Sequence, residues 1–310
     1  MIKYFIKKIG QAIFVLFAIS FLAFGASFLA EGDPVEMYYI ARHKPVPPEE
    51  VLEKARKEKG LNEPVLIQYK NWLGNFLKGH MGTSYMDDRP VADKIKGALP
   101  QSLYLAVPAF LLTFIFALAA SITCIFFKDT ALDKFLDTLS FILASIPTFV
   151  YGVILLIIFA VKLKWFPVIS RGNPNGWVLP VLCLALPLIG KYTRQIRSAM
   201  MEEYKSQYVQ SFEARGFKKR YIIVNSVFKN CAGLVLNLMA MSFAYFCGGV
   251  TIVEHLFVWP GLGSLIMDSI LFRDYPTIQA FVFLSALIYF IFNMLADILH
   301  KVIDRRVDLG

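Results

Sequence analysis

The sequence predicts an all-α integral membrane protein of six transmembrane helices, with a long external loop after the first helix. Three observations predict it. The 310 residues are 57% hydrophobic and only 18% charged, with a mean hydropathy of +0.56, far more apolar than an ordinary soluble domain. Four stretches, 9–30, 102–127, 233–253 and 278–296, hold no charged residue and approach or exceed the roughly 20 residues that cross a hydrocarbon core. Lys and Arg are also distributed unevenly between the segments that join these stretches.

The first stretch follows Lys3, Lys7 and Lys8, as a signal peptide would. It is longer than the apolar core of such a peptide and shows no small-x-small cleavage site, so it reads as a helix. A fifth stretch, 135–161, carries the single charge of Asp137. The sixth, 177–190, has 14 uncharged residues and includes Pro180 and Pro187. That length also suits a buried or re-entrant element, so five crossings is the alternative count.

Six crossings put both termini on one side. The segments on that side, before the first helix, at 128–134, at 191–232 and after Leu299, hold 17 Lys and Arg; the opposite short loops at 162–176 and 254–277 hold three and one. The termini and the 191–232 segment are therefore expected in the cytoplasm. The 31–101 loop stays outside the count, because long loops cross largely regardless of charge. The net charge of +9 is a topology signal and not a nucleic-acid footprint.

Within the 31–101 loop, residues 48–59 open with Pro and acids, end in bases and are followed by Gly60, which predicts a short helix. Val65, Leu66, Tyr69, Trp72, Leu73, Phe76 and Leu77 form one apolar helical stripe. It would lie on the outer leaflet or on the membrane helices, or else form a docking shelf for an external partner. The expected organisation is residues 1–97 as first helix plus external loop, residues 98–300 as a five-helix core with a cytoplasmic segment at 205–220, and residues 301–310 as a cytoplasmic tail.

Residues for chemistry are missing from the pattern, so no catalytic residue, metal ligand or bound cofactor is expected in this chain. Gly190-Lys191 lacks the earlier glycine and the following Ser or Thr of a phosphate-cradling loop. His43, His80, His255 and His300 are scattered, with no H-E-x-x-H pattern, and no G-x-S-x-G occurs. Cys124, Cys183, Cys231 and Cys247 lie in or beside apolar segments without C-x-x-C spacing and read as small core residues. Asn293 and Asp297 share a face of the last span, but with Asp137 they are too few and too near the span ends for a proton relay.

The cytoplasmic segment is informative. Lys191, Arg194 and Arg197 recur at three-residue spacing, and then Tyr208, Phe212 and Phe217 surround Gly216 among Arg215, Lys218, Lys219 and Arg220. A loop that only fixes orientation has no use for three large aromatics. Two readings fit: a short helix that docks a partner through aromatic anchors and a basic rim, or a helix lying on anionic lipid.

Across nearly the whole chain the motifs resemble those of inner-membrane permease subunits of binding-protein-dependent ABC importers, in the dipeptide, oligopeptide and nickel group. Gly32-Asp33-Pro34 resembles that group's G-D-P, Gln68-Tyr69 with Trp72-Leu73 its Q-Y-x-x-W-L, and Gly82-x-Ser84 with Arg89-Pro90-Val91 the segment that follows. Glu254, Phe257, Trp259-Pro260-Gly261-Leu262-Gly263, Arg273-Asp274-Tyr275-Pro276 and Gln279 continue the match, with Asn293 and Asp297 in the last span. Gln210, Ser211 and Phe212 stand where the wider family has E-A-A before the glycine of E-A-A-x-x-x-G. Phe212-Glu213-Ala214-Arg215-Gly216 is closer to the group's A-R-A-K-G form. Ile303-Asp304-Arg305-Arg306 lacks the proline of the usual D-P-R tail.

The resemblance implies an ABC type-1 permease-like fold in a bacterial or archaeal inner membrane. It implies a translocation path shared with a second homologous permease, for di- or oligopeptides or for nickel and other metal chelates. Further implied partners are two ATPase subunits that use ATP and Mg, and an extracytoplasmic solute-binding protein; an ion-coupled carrier, or a non-transporting receptor or assembly protein, is the alternative. By the same resemblance Phe212, Glu213, Ala214, Arg215, Gly216, Phe217, Arg220 and Asn230 couple to the ATPase. Glu254, Trp259, Pro260, Gly261 and Gly263 lie near the outer gate, although Pro260, Gly261 and Gly263 would equally make a tight turn. Asn237, Ser242 and Tyr245 are candidates to line the path or to serve as helix-packing contacts.

Overall fold

The computed structural model describes residues 2–29, 33–40, 42–58 and 60–303. Gly32, the side chains of Cys247, Asp297 and His300, and the tail residues Asp304, Arg305 and Arg306 lie outside the described residues.

The chain is helical over 78% of its length. In order come α1 (Ile2–Leu29), α2 (Pro34–Ile40), α3 (Glu49–Glu58), α4 (Val65–Leu77), α5 (Val91–Phe126), α6 (Ala131–Ser145) and α7 (Thr148–Leu155), which continues as a π-helix over Leu156–Lys162. Then follow α8 (Val178–Tyr204), α9 (Gln207–Ala214), α10 (Lys219–Ile222), a π-helical passage over Ile223–Val227, α11 (Phe228–Gly249), α12 (Thr251–Leu256), α13 (Leu262–Leu271) and α14 (Tyr275–Ile303). Among the described residues the only extended pairing is an isolated bridge between Thr83 and Pro90.

Among the described residues, by length and composition, four helices can cross a membrane, and five if α6 and the helix that follows it count as one span, against the six expected and the five held as the alternative. The difference lies in α8, where the 177–190 stretch is helical but runs without interruption into charged residues. The fifth stretch is not one straight helix: α6 and α7 meet at a 98° bend. Pro147 sets this break, since it has no N–H to continue the ladder and holds Ile146 extended at φ −90°, ψ 127°.

The helices of the 31–101 loop form where charge and turn residues place them. α3 has Glu49 and Glu50 in its first turn and Arg56 and Lys57 in its last, opposing the helix dipole at each end. Asp33 caps α2, accepting the Val35 N–H at 2.8 Å, and pairs with Arg56 of α3. The apolar stripe of α4 is packed only in part, with Val65, Leu66 and Leu77 exposed. Tyr69 and Phe76 are buried, the Tyr69 hydroxyl meets that of Ser20 at 2.6 Å, and the Tyr69 ring lies edge-on to Phe17, Phe21 and Phe24 of α1.

Two compact units emerge, one of residues 1–102 with 260–290 and the other of residues 103–259 with the chain from 291 onward. The first has one apolar core, built around Phe76, Val91, Ile95, Leu262 and Phe283. The second has two, one around Leu105, Leu184, Phe246 and Phe257 and one around Phe114, Ile196, Met200, Val209 and Ile223. In this second unit α6 and α8 touch backbone to backbone at Gly190. A Cβ there would lie 2.5 Å from the Ser140 carbonyl oxygen and 2.6 Å from the Ala144 nitrogen, so only glycine fits this approach. Thr130 caps α6, accepting the Asp133 N–H at 3.5 Å, while the Asp133 carboxylate accepts the Asp129 N–H at 3.1 Å. Cys124, Cys183 and Cys231 are buried and unpaired thiols.

Candidate functional site

The 205–220 segment folds as a short helix with a defined stop. Beyond α9, Gly216 takes the left-handed conformation at φ 78°; its N–H donates to the Glu213 carbonyl at 2.9 Å, and the Phe217 N–H donates to the Phe212 carbonyl at 3.1 Å. The Phe212 and Phe217 rings meet edge-on at 5.1 Å, the apolar contact that accompanies such a stop. Gly216 is therefore required by backbone conformation. Nothing lies within 4 Å of where its Cβ would be, so the glycine faces open space in this chain.

The helix is anchored from one side only. Val209 is fully buried, and Tyr208 and Phe212 pack against the same core. Glu213, Ala214, Arg215, Gly216, Phe217 and Arg220 are all exposed, and Phe217 stacks on Tyr221 at 5.4 Å. An apolar ring pair with a basic border is thus presented outward.

Hydrogen bonds tie this helix to both neighbours. Tyr204, at the end of α8, donates its hydroxyl to Glu213 at 2.6 Å. Glu203 accepts from the Tyr208 hydroxyl at 2.8 Å and from the Asn230 amide at 2.7 Å, linking α8, α9 and the start of α11 through one carboxylate. Burial, then the neighbouring Glu213, pushes the Tyr204 phenol up to about 12, and burial with Glu203 does the same to Tyr208. Both phenols stay protonated near neutral pH and remain donors. Lys219 donates to the Phe126 carbonyl at 2.7 Å, closing the C-terminal end of α5.

The 254–263 motif separates into two parts. In the second unit, Glu254 and Trp259 are buried and the Trp259 ring stacks on Tyr104 at 5.9 Å. The left-handed residue ending α12 is Val258, at φ 54°, with the Trp259 N–H donating to the Glu254 carbonyl at 2.7 Å. In the first unit Pro260 precedes Gly261, which is extended and starts α13, and the Leu262 N–H donates to Ser102 Oγ at 2.7 Å. Gly263 is buried in the first turn of α13. The conformational freedom expected of the glycines is thus used at neither Gly261 nor Gly263, and a β-branched residue carries the turn.

Also in the first unit, Asp274 is fully buried and accepts from Ser84 Oγ at 2.5 Å, the Tyr85 N–H at 2.9 Å and Thr277 Oγ1 at 2.7 Å, with Lys94 Nζ at 3.8 Å. Burial beside this carboxylate pushes the Tyr85 phenol up to about 12. Gly82 closes the loop at φ 82°, and the Val91 N–H donates to its carbonyl at 3.0 Å. The Gly82-x-Ser84, Arg89-Pro90-Val91 and Arg273-Asp274-Tyr275-Pro276 motifs form a single structure.

Of the candidates to line a path, Ser242 is buried, with hydrogen bonds to the Tyr192 hydroxyl and the Leu238 carbonyl at 2.5 Å each. Asn237 and Tyr245 are exposed, in a stripe of α11 with Leu234 and Met241. Among the described residues no group of three His, Cys, Asp or Glu could hold a metal ion.

Residues 116–309 match the family described as "Binding-protein-dependent transport system inner membrane component", and residues 1–106 match its N-terminal companion. The chain belongs to this family. As an inner membrane component of such a system it is a multi-pass permease subunit of an ABC importer, which supports neither a secondary carrier nor a receptor. It is 29% identical over 310 residues, covering 100% of this chain and 99% of the relative, to the metal-staphylopine import system permease protein CntB of Staphylococcus aureus (strain NCTC 8325 / PS 47). It is 30% identical over 307 residues, covering 99% of each, to the glutathione transport system permease protein GsiC of Escherichia coli (strain K12). Its fold is similar to a solved inward-facing MetNI methionine ABC transporter chain, with a TM-score of 0.58 at 13% identity, covering 68% of this chain and 96% of that one.

Several residues of this permease that shape the site are invisible to motif reading. Glu203 and Tyr204 stand outside the 205–220 segment, and their only sequence signal is that Glu203, Tyr204 and Tyr208 fall within about one helical turn of one another. Arg197, legible as one of a basic row, is held by Asp133 at 2.9 Å and by Asp137 at 3.6 Å.

Proposed function

We propose that the chain forms, with a second homologous permease, the path by which di- or oligopeptides or nickel and other metal chelates enter the cell. An extracytoplasmic solute-binding protein delivers the solute, and two ATPase subunits bind ATP and Mg and drive the cycle. Both termini and the 205–220 segment lie in the cytoplasm. The substrate class draws on the relatives, one named for metal-staphylopine import and one for glutathione transport.

The observation that carries the coupling role is α9 itself: a helix fixed along one side by Val209 and Phe212, ending in a left-handed stop that holds Phe217, Arg215 and Glu213 outward. Exposed aromatics within a charged rim are the composition of a docking surface. A push on α9 reaches α8 through Tyr204 and Glu203 and reaches α11 through Asn230, so both helices would move as levers. The external Glu254 and Trp259–Gly263 element lies near the outer gate, and Asn237 and Tyr245 face the path.

The test uses the assembled transporter in proteoliposomes. Phe212→Ala with Phe217→Ala should abolish the stimulation of ATP hydrolysis by solute-loaded receptor and stop uptake, while the chain still inserts. Undiminished uptake in that variant sinks the coupling role. Competition between labelled peptide and nickel chelate for uptake by the unaltered transporter decides the substrate.

A further inference from the structure

The charged half of α8 borders a cavity of about 480 Å³ between α8 and α6. Lys191, Arg194, Gln195, Arg197 and Ser198 line it from α8, and Asp137 from α6. We infer that this cavity holds the phosphate group of an anionic phospholipid.

Charge balance leads to that ligand. Arg197 is engaged by both Asp133 and Asp137, so the three bases Lys191, Arg194 and Arg197 stand against two acids. Lys191 and Arg194 make no ion pair among the described residues and leave an uncompensated positive charge in the cavity. The Arg194 guanidinium lies 5.1 Å from the Phe141 ring centroid, which orients its donors. A guanidinium fork and a mobile ammonium suit the two unshared oxygens of a phosphodiester, and Gln195 and Ser198 add neutral donors.

Depth and surroundings select lipid over a soluble anion. Lys191 directly follows the uncharged 177–190 stretch, so the cavity begins where apolar chain gives way to charge, the level of phospholipid headgroups. On α6, Phe135, Phe141 and Ile142 are 61%, 56% and 49% exposed, an apolar surface for acyl chains that a soluble phosphate would not need. The close approach at Gly190 holds the α6 and α8 backbones against each other beside the cavity. This site is separate from the α9 docking surface and stands whether or not α9 couples to an ATPase.

The full-length chain would be placed in nanodiscs of phosphatidylcholine with phosphatidylglycerol, extracted, and its retained lipid identified by native mass spectrometry. Two cations at a membrane surface correspond to a preference of roughly tenfold or more for the anionic lipid. Lys191→Gln with Arg194→Gln should abolish that preference, and the charge-matched Lys54→Gln with Lys70→Gln, at exposed positions, should keep it. The two single replacements serve if the double variant melts early. An unchanged preference in the Lys191/Arg194 variants overturns the site. Inorganic phosphate titrated in detergent distinguishes the source: phosphate binding that depends on Lys191 and Arg194, with no phosphatidylglycerol retained by the unaltered chain, overturns lipid as the ligand.

Discussion

Phe217 donates its backbone N–H to the Phe212 carbonyl at 3.1 Å, and the two rings meet at 5.1 Å across a left-handed Gly216. Backbone and side chain thus fix the same short stretch, and the residue between them must tolerate a positive φ. Gly216→Ala should cost about 1 kcal/mol through the left-handed penalty. Gly216→Asn keeps much of the left-handed preference but adds a side chain where the structure has open space. If the segment only needs its stop, Asn restores uptake that Ala loses; if a partner closes on the glycine, both substitutions lower receptor-stimulated ATP hydrolysis several-fold. Equal wild-type activity in both variants removes the glycine from the coupling role.

Glu203 accepts two hydrogen bonds from different helices. Glu203→Ala leaves the Tyr208 hydroxyl and Asn230 amide without this acceptor and should cost about 1–3 kcal/mol and several-fold in coupled uptake. Glu203→Gln retains an oxygen that both donors can reach and should restore most of the loss. Thermal unfolding and uptake measured on the same preparations check this, and a Gln variant as impaired as Ala would count against the two bonds as the cause.

Asp274 and Ser84 are buried together, and the half-buried Lys94 reaches Ser84 Oγ at 2.8 Å. Replacing Asp274 by Ala removes the acceptor of the Ser84 and Thr277 hydroxyls and of the Tyr85 N–H, a loss of about 1–3 kcal/mol for each group left unsatisfied, while Lys94 keeps Asp87 at 3.3 Å. Ser84→Ala removes one donor and should cost about 1 kcal/mol. Limited proteolysis in the 82–94 loop reads this directly: rapid cutting at Arg89 in Asp274→Ala and slow cutting in Ser84→Ala is the expected order.

Val258 ends α12 in the left-handed region, where a β-branched side chain costs about 1–2 kcal/mol. Its side chain is 49% exposed, so little packing is lost on removal. Glycine forfeits about 0.5–1 kcal/mol of chain entropy. Val258→Gly should therefore leave the melting temperature unchanged or raise it by a few degrees. A clear fall would mean that the Val258 side chain contributes more contact than its exposure indicates.

Local patterns were legible wherever they act over a few residues. The start and stop of α3 follow from Glu49, Arg56 and Gly60, and the helical course of α4 from its apolar stripe, because caps, dipoles and side-chain period are settled within a turn or two. A short helix rich in aromatics at 205–220 was legible, but not that Gly216 ends it, nor that Tyr208 and Phe212 pack inward while Phe217 is exposed. The 135–161 stretch read as one span, and the 98° bend at Pro147 came only with the packing of α6 and α7 on α8. The glycines of Trp259–Gly263 read as turn formers, whereas the chain turns at Val258, whose strained backbone is held by the hydrogen bond from Trp259 to Glu254.

What the amino-acid order alone determined is the medium in which this protein lives and the character of its parts: long uncharged runs must leave water, and a basic aromatic segment must meet something. Tertiary structure decided the partnerships. Ser84 and Asp274 are 190 residues apart, and Tyr69 and Ser20 are 49 apart. No periodicity connects residues at such distances, because a hydrogen bond or a closed cavity depends on where whole helices come to rest.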